Sequence, residues 1–332
     1  MDKSKLNTSF SCKPKLTRRS QAIATQRVTQ IAVLEEFSLF LLIADKALIA
    51  YHLDTVCPVS GPTPQTAPTS ASSTQHPPQK LSGARDVGFF ATGRMKDRTL
   101  VFYKKREGVS SIFKVLEPVY QKSSTSSHSM RNRFGLKKGS VEFFRDFDDF
   151  YIPTDAYAIN LFHSSLAVST AKGIEVMTLD KKLPFSIPDL KPAACASIAH
   201  RIRDQKPLGM FRLSDSEFLL AFEEVGIYCN KHGDVSRSVV LEFVGKARQA
   251  CLVGSMFLVL VDADRCFVEV RNAINGRLRQ IVSGKDVKLL DDGIAGGQQG
   301  RGEGRVKISM QHPEWERCQI VFELVINEGL KE

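Results

Sequence analysis

Residues 218–233 read FLLAFEEVGIYCNKHG, which is an apolar run, a short polar turn and a second apolar run. Runs of four to eight residues rich in Val, Ile, Leu, Phe and Tyr, broken by a few polar or glycine residues, are typical of β-hairpins. The pattern recurs in FLLIADKALIAYHL (40–53), LAVSTAKGIEVMTL (166–179) and FLVLVDADRCFVEVRNAINGRL (257–278). The sequence therefore predicts an all-β protein built from repeated hairpins.

The spacing of these hairpins indicates a β-propeller. Helical periodicity is scarce, with SIAHRIRDQK (197–206) the one short candidate. About two dozen strands are predicted, in hairpins that recur every 40 to 50 residues, as in four-stranded propeller blades. Without roughly 50 residues of polar insert, the length suits about seven blades. We therefore expect one domain over 1–332, a closed seven-bladed propeller of four-stranded antiparallel blades. A strand before Arg27 is expected to close the ring beside a strand at 318–326.

Three low-complexity stretches interrupt the apolar pattern, at about 55–85, 121–139 and 291–304. They are rich in Ser, Thr, Pro, Gly, Gln or Lys, and such composition buries too little apolar area to offset the entropy lost on ordering. We expect disordered loops inserted within one domain.

The net charge is +10, from 46 Lys and Arg against 36 Asp and Glu, which invites a nucleic-acid or anionic-membrane interpretation. Much of the excess lies in the first twenty residues and in the inserts, so solvated tails and loops explain it better, and no nucleic-acid partner is predicted. The seven cysteines form no CxxC pair, and the N-terminus has no apolar leader. A cytoplasmic location fits these features.

Catalytic signatures are missing from the sequence. It contains no GxxxxGK followed by Ser or Thr, no GxSxG and no HExxH, and its seven histidines are dispersed. We therefore predict no enzyme activity, no catalytic residues, no cofactor and no metal site. An active site in the central channel of the propeller is the remaining enzymatic alternative.

Seven charged or aromatic residues are the candidates for partner binding. They are a basic trio, an acidic trio and the single tryptophan: Lys104, Lys105, Arg106, Asp146, Asp148, Asp149 and Trp315.

The basic trio closes the run KDRTLVFYKKREG (96–108). Because side chains alternate along a strand, Leu100 and Phe102 should face one way, Val101 and Tyr103 the other, with the charges at the exit turn. This is either an ordinary hairpin end or a contact for an acidic partner or anionic lipid.

The acidic trio and the tryptophan leave alternatives open as well. The trio lies in VEFFRDFDDFYIP (141–153), which lacks the ligand spacing of a calcium loop, so a hairpin tip is expected, or else a negative edge that meets a basic partner. Trp315, in QHPEWERC (311–318), either packs between blades or is exposed as a binding hot spot.

Several blocks of the chain resemble the citron homology (CNH) domain, and they occur in the order expected for that family. They are RVTQIAVLEEFSLFLLIADKALIAYHL (27–53), AKGIEVMTLD (171–180), KPLGMFRLSDSEFLLAFEEVGIYCNKHG (206–233) and FVEVRNAINGRLRQIV (267–282). Ala221 and Phe222 depart from the Cys-Tyr that is commoner there. The blocks and the first insert look most like fungal exchange factors for Rho-family GTPases.

The resemblance implies a seven-bladed propeller at the C-terminal end of a larger signalling protein. It implies a non-enzymatic scaffold that docks a Rho-family small GTPase, regulates the exchange domain of its own parent protein, or does both, in cell-wall or cytoskeletal signalling. The alternative is a module recruited to anionic membranes through its basic loops. Either role suits a cytoplasmic protein that is peripheral at the plasma membrane.

Overall fold

The computed structural model describes residues 28–56, 77–81, 86–107, 109–120, 142–294, 305–315 and 318–325. In that part of the chain, 23 strands form six antiparallel sheets, five of four strands and one of three. The first strand of each sheet lies next to the first strand of the following sheet, and that of the last sheet lies beside that of the first. The described chain is a closed six-bladed β-propeller.

Each blade follows the chain from its innermost strand outward. Blades 1 to 3 consist of β1 (Val28–Leu34), β2 (Leu39–Ala44), β3 (Ala47–His52) and β4 (Gln79–Lys80); β5 (Val87–Met95), β6 (Arg98–Glu107), β7 (Ser110–Pro118) and β8 (Phe144–Ile152); β9 (Ala156–Leu161), β10 (Leu166–Thr170), β11 (Gly173–Met177) and β12 (Phe185–Ile187). Blades 4 to 6 consist of β13 (Pro207–Arg212), β14 (Glu217–Phe222), β15 (Val225–Asn230) and β16 (Leu241–Glu242); β17 (Ala247–Val253), β18 (Phe257–Asp262), β19 (Phe267–Asn272) and β20 (Leu278–Ser283); β21 (Lys288–Asp291), β22 (Val306–Gln311) and β23 (Gln319–Leu324). The helices are α1 (Leu53–Val56), α2 (Ala196–Ile202) and two short 3-10 turns, Glu35–Phe37 and Ala193–Cys195.

The predicted seven blades are therefore wrong, whereas the all-β class and the short helix near 197–206 are confirmed. The number seven came from dividing the chain length by the length of one blade. That division overestimates the number of blades, because many residues of the chain lie outside the blades. A segment that carries α2 joins blades 3 and 4, and strands of blade 2 run to nine and ten residues. The strand count was the better guide, because 23 strands in fours give about six blades.

The hairpins that predicted the fold are the middle strands of four blades, namely β2–β3, β10–β11, β14–β15 and β18–β19. Every residue of β10 and β18 is buried, so neighbouring blades cover both faces of these two strands. Continuous apolar runs are the expected pattern for strands that are buried on two faces.

Hydrophobic clusters fill five of the seams between neighbouring blades. Val101 and Tyr103 of β6 belong to the cluster between blades 1 and 2. Leu100 and Phe102 belong to the cluster between blades 2 and 3. The alternation predicted for this strand is confirmed, and it shows how one strand supplies the cores of two seams.

Amide side chains join innermost strands across three of the seams. Gln30 pairs with both backbone groups of Phe90 at 2.6 and 3.0 Å, Asn160 Oδ1 accepts the Met210 N–H at 2.9 Å, and Gln249 Oε1 accepts the Leu289 N–H at 3.3 Å. The innermost strands are sheet edges with backbone groups that no neighbouring strand of their own blade pairs, so these amides satisfy some of them.

The propeller has two faces that its loops distinguish. We name the face where innermost strands begin the entry face; it also carries the turns between second and third strands. The exit face, where innermost strands end, carries the turns between first and second and between third and fourth strands. The three predicted inserts connect β3 to β4, β7 to β8 and β21 to β22, so all of them join the described chain at the exit face.

The expectations about the inserts and about ring closure concern segments that the structure describes only in part. The first predicted insert includes β4, the fourth strand of blade 1, and the third begins at Asp291, which is a buried residue of β21. Most of the inserts and the strand expected before Arg27 lie outside the described residues. Within them, β23 pairs with β22 alone.

Candidate interaction surface

The basic trio lies at the entry-face end of β6. Lys104 is buried, and its ammonium group donates to Asp155 Oδ1 at 2.5 Å and to the Ala156 carbonyl at 2.7 Å. Ser111 bridges the same seam, donating to the Thr154 carbonyl and accepting the Ala156 N–H, each at 3.0 Å. Lys104 thus joins blades 2 and 3, and its charge is already matched inside the molecule. The prediction that Lys104 lies at the exit turn of the hairpin was wrong.

The acidic trio lies along β8, the outermost strand of blade 2, so the predicted hairpin tip is wrong. Asp149 accepts from Lys114 of β7 at 2.8 Å, and this bond lowers the pKa of Asp149. Asp148 accepts from Lys182 of the next blade at 2.7 Å. Charges on an outermost strand discourage pairing with another chain, which gives the trio a role at the sheet edge.

Trp315 is exposed over 60 % of its surface, in the entry-face turn between β22 and β23. Its ring stacks on His312 with centroids 4.5 Å apart, and His312 Nδ1 accepts the Glu314 and Trp315 N–H groups. Of the two alternatives for Trp315, exposure at the surface is correct and packing between blades is wrong. Trp315 and the acidic trio lie apart, so the seven candidates do not form one site.

A different cluster, on the exit face, has the composition of a binding hot spot. We name it the exit-face patch; it surrounds a cavity of about 380 Å³ at the seam of blades 1 and 2. Phe147 lies beside Arg98, and the exposed residues that line the cavity are Glu36, Arg94, Asp97, Arg98, Val119, Tyr120 and Arg145. Tyrosine and arginine are enriched among the residues that dominate binding energy at protein interfaces.

The aromatic side of the exit-face patch is held in place by neighbouring side chains. The Tyr120 ring lies on Phe37 with centroids 4.5 Å apart, and its hydroxyl donates to Glu36, which raises the pKa of Tyr120. The Arg98 guanidinium lies 5.5 Å from the centre of the Phe147 ring, within cation–π range.

Two arginines of the patch, Arg98 and Arg145, share one carboxylate. Arg145 donates to Glu117 Oε2 through Nε at 2.7 Å and Nη2 at 2.5 Å, while Arg98 Nη1 donates to Glu117 Oε1 at 3.1 Å. Only 14 % of the Glu117 side chain is exposed, against 53 % for Arg98 and 61 % for Arg145. The guanidinium groups are therefore oriented before a partner arrives, which reduces the entropy lost on binding.

The sequence patterns did not predict this patch, although two of the runs described above contribute residues to it. Arg98 lies in the 96–108 run, and Arg145 and Phe147 lie in the 141–153 run. Their convergence depends on the register that pairs Glu117 of β7 with Arg145 of β8. An insert of about twenty residues separates those strands in sequence, so only strand pairing brings the residues together.

The described residues contain no helix long and apolar enough to cross a membrane. They also bring together no cluster of three or more histidine, cysteine or carboxylate groups suited to a metal ion. The basic loop at 121–139, on which membrane recruitment would depend, lies outside the described residues.

Comparisons with known proteins agree on one family. The family model described as "CNH domain" matches residues 9–293. The curated proteins "Rho1 guanine nucleotide exchange factor 3" and "Rho1 guanine nucleotide exchange factor 1" of Schizosaccharomyces pombe are each 28 % identical, over 311 and 278 residues, or 90 % and 82 % of this chain. Those alignments span 22 % and 19 % of the relatives, so the chain spans about a fifth of their length.

A solved structure described as "AfRom2 CNH domain" shares the fold. It superposes with a TM-score of 0.65 at 24 % identity, over 90 % of this chain and 80 % of that one. The family model covers well over half of the chain, and the fold agrees with it. This chain belongs to the CNH domain family.

Proposed function

We propose that the chain is a non-enzymatic docking module of a Rho-type exchange factor, which binds a Rho-family small GTPase through the exit-face patch. The observation that carries the proposal is that Arg98 and Arg145, oriented by Glu117, line the same cavity as Tyr120, which is held on Phe37. The partner class comes from the relatives, which are named as Rho1 exchange factors. The same surface could instead hold the exchange domain of the parent protein, and we place the module in the cytoplasm, peripheral at the plasma membrane.

Titration with a purified Rho-family GTPase, in GDP and GTP-analogue forms, tests the proposal. The wild-type chain should give saturable binding. The double variant Tyr120→Ala, Arg145→Ala should weaken it by at least about tenfold, since hot-spot truncations each cost about 2 kcal/mol or more.

Tyr151→Ala is the matched control, because Tyr151 lies on the same strand as Arg145 and is as exposed as Tyr120, at 59 % against 60 %. Trp315→Ala reports on the entry face. A flat titration at high micromolar GTPase would exclude direct binding. Loss of binding in Trp315→Ala but not in the double variant would overturn the exit-face assignment.

Sedimentation with phosphoinositide vesicles tests recruitment to anionic membranes, the competing role. Charge-driven binding should fall steeply with salt, because exposed charges are screened within about 8 Å at physiological ionic strength. Vesicle binding by the wild-type chain that vanishes on deletion of 121–139, together with a flat GTPase titration, would favour the membrane role over docking.

A further inference from the structure

The central channel of the propeller holds a cavity of about 490 Å³. All six innermost strands contribute to its lining, mostly through residues near their N-terminal ends. Since these strands begin at the entry face, the cavity opens toward that face. Its volume lies in the range of small-molecule sites, about 300 to 1,000 Å³. The cavity is distinct from the exit-face patch.

Blades 5 and 6 give one wall of this cavity a positive charge. Arg248, Arg265 and Lys288 line it. Asp286 accepts from Arg265 Nη1 at 2.8 Å and from Lys288 Nζ at 2.5 Å. Although burial alone would raise the pKa of Asp286, these cations and Gln319 lower it to about 2, so the carboxylate is ionised at neutral pH. Arg265 and Lys288 therefore share one carboxylate at this wall, and Arg248 adds a third cation to the lining.

The acidic residue that lines the cavity is Asp292, which lies at a different depth from Lys288. Asp292 follows Lys288 by four residues, or about 13 Å along an extended chain. Asp155 and Glu223, near the opposite rim, are each engaged by a lysine, Lys104 and Lys246. Among the residues that line the cavity, three cations therefore accompany one carboxylate.

The opposite wall is apolar and aromatic. Phe89, Tyr157 and Leu208, from blades 2, 3 and 4, line it and are half-buried. The ammonium group of Lys206 lies 5.3 Å from the centre of the Tyr157 ring, at the rim. A molecule in the cavity would have cations on one side and flat apolar surface on the other.

We propose that the channel mouth binds a small amphiphilic anion, a phosphate or carboxylate group carried on an aromatic or aliphatic body. The anionic group takes charge-assisted hydrogen bonds from Arg248, Arg265 and Lys288, which are the strong class of hydrogen bond. The apolar body lies against Phe89, Tyr157 and Leu208. The carboxylate of Asp286 already occupies part of the cationic wall, and it shows that the wall can hold an oxyanion.

Calorimetric titration of the full chain with phenyl phosphate, benzoate, inorganic phosphate and phenol tests the ligand class. Phenyl phosphate and benzoate should bind saturably, and phenyl phosphate at least about tenfold more tightly than either phosphate or phenol, because only the joined molecule contacts both walls. If neither phenyl phosphate nor benzoate saturates the protein at about 10 mM, the dissociation constant lies beyond the millimolar range and the proposal is overturned.

Variants locate the site. Arg248→Gln should weaken phenyl phosphate binding by about tenfold or more, the usual effect of losing a charged hydrogen bond. Asp286→Asn should tighten it several-fold by releasing Arg265 and Lys288 to the ligand. Lys172→Gln, an exposed entry-face lysine outside the cavity, is the matched control. Equal effects of Arg248→Gln and Lys172→Gln, or weaker binding by a folded Asp286→Asn, would show that the anion binds elsewhere.

Discussion

Asp291 and Asp292 are neighbouring carboxylates at the end of β21 that meet a single lysine. Lys307 Nζ donates to Asp291 Oδ2 at 2.6 Å. Asp292 accepts the Ile294 N–H at 3.1 Å, yet burial, reinforced by the charge of Asp291, raises its pKa to about 6. A carboxyl group whose pKa is higher in the folded than in the unfolded chain lowers stability once it ionises.

Asp292→Asn should therefore stabilise the protein at neutral pH. The penalty is absent below about pH 4 and complete above about pH 6, so the free energy of unfolding should rise by about 1 to 2 kcal/mol at pH 7.5 and be unchanged at pH 4. Urea denaturation at both pH values measures it. Asp291→Asn is the contrast, and it should destabilise because Lys307 loses its partner. An equal gain for Asp292→Asn at both pH values would contradict the assigned pKa.

The strand that carries Lys104 shows which side-chain positions the sequence can predict and which it cannot. Alternation correctly placed residues 100 to 103, because it depends only on the two-residue repeat of a strand. The burial of Lys104 depends on Asp155, 51 residues away in the next blade. No local pattern distinguishes a lysine that ends a strand in solvent from one that ends it in a seam.

The innermost strands are the elements whose packing is most constrained by backbone spacing. Gly209 of β13 lies where a Cβ would come within 2.9 Å of Asn160 Oδ1 and 2.8 Å of the Phe211 ring. The absence of a side chain lets Asn160 reach the Met210 N–H and join blades 3 and 4. The hydrogen bond from Met210 to Asn160 therefore depends on the glycine at position 209.

Gly209→Ala should accordingly destabilise the propeller, by about 1 to 3 kcal/mol, the usual cost of overpacking. Gly88→Ala is the matched control on another innermost strand, since the nearest atom to its Cβ is the Lys104 side chain at 3.9 Å. Thermal and urea unfolding of both variants compare them. Similar losses for the two would mean that the Asn160 contact does not determine the effect.

Prediction at the element scale succeeded for buried middle strands and failed for outer ones. Continuous apolar runs marked β14 and β15, whereas β8 carries three aspartates and was assigned to a hairpin tip. An outermost strand has solvent on one edge and on part of each face, so its composition approaches that of a loop.

The seam between blades 6 and 1 differs from the other five. The described residues form no hydrophobic cluster across it, and blade 6 has three strands there. Since Val306 and Ile308 pack toward blade 5, the alternate residues Lys307 and Ser309 face blade 1. Val321 of β23 is 45 % exposed. Among the described residues, this is the least apolar of the six seams.

Blade 6 should consequently open before the rest of the ring. Amides of β23 should exchange with solvent about tenfold faster than those of β20, because local openings are easiest where few apolar contacts are lost. The two strands are matched, since each is the outermost described strand of its blade and pairs on one side. Native-state hydrogen exchange measures the ratio. Equal protection of β20 and β23 would show that the seam is as strong as the others.

The sequence alone determined the all-β class, the repeated hairpins, the faces of β6 and the family, since each is recorded in local periodicity or in blocks of contiguous residues. Only the tertiary structure decided that the ring has six blades, that Lys104 is internal, and that Arg98, Tyr120 and Arg145 converge. The physical reason is that ring closure and cross-blade contacts join residues far apart in the chain. Their geometry depends on strand register and seam packing, which no two-residue repeat encodes.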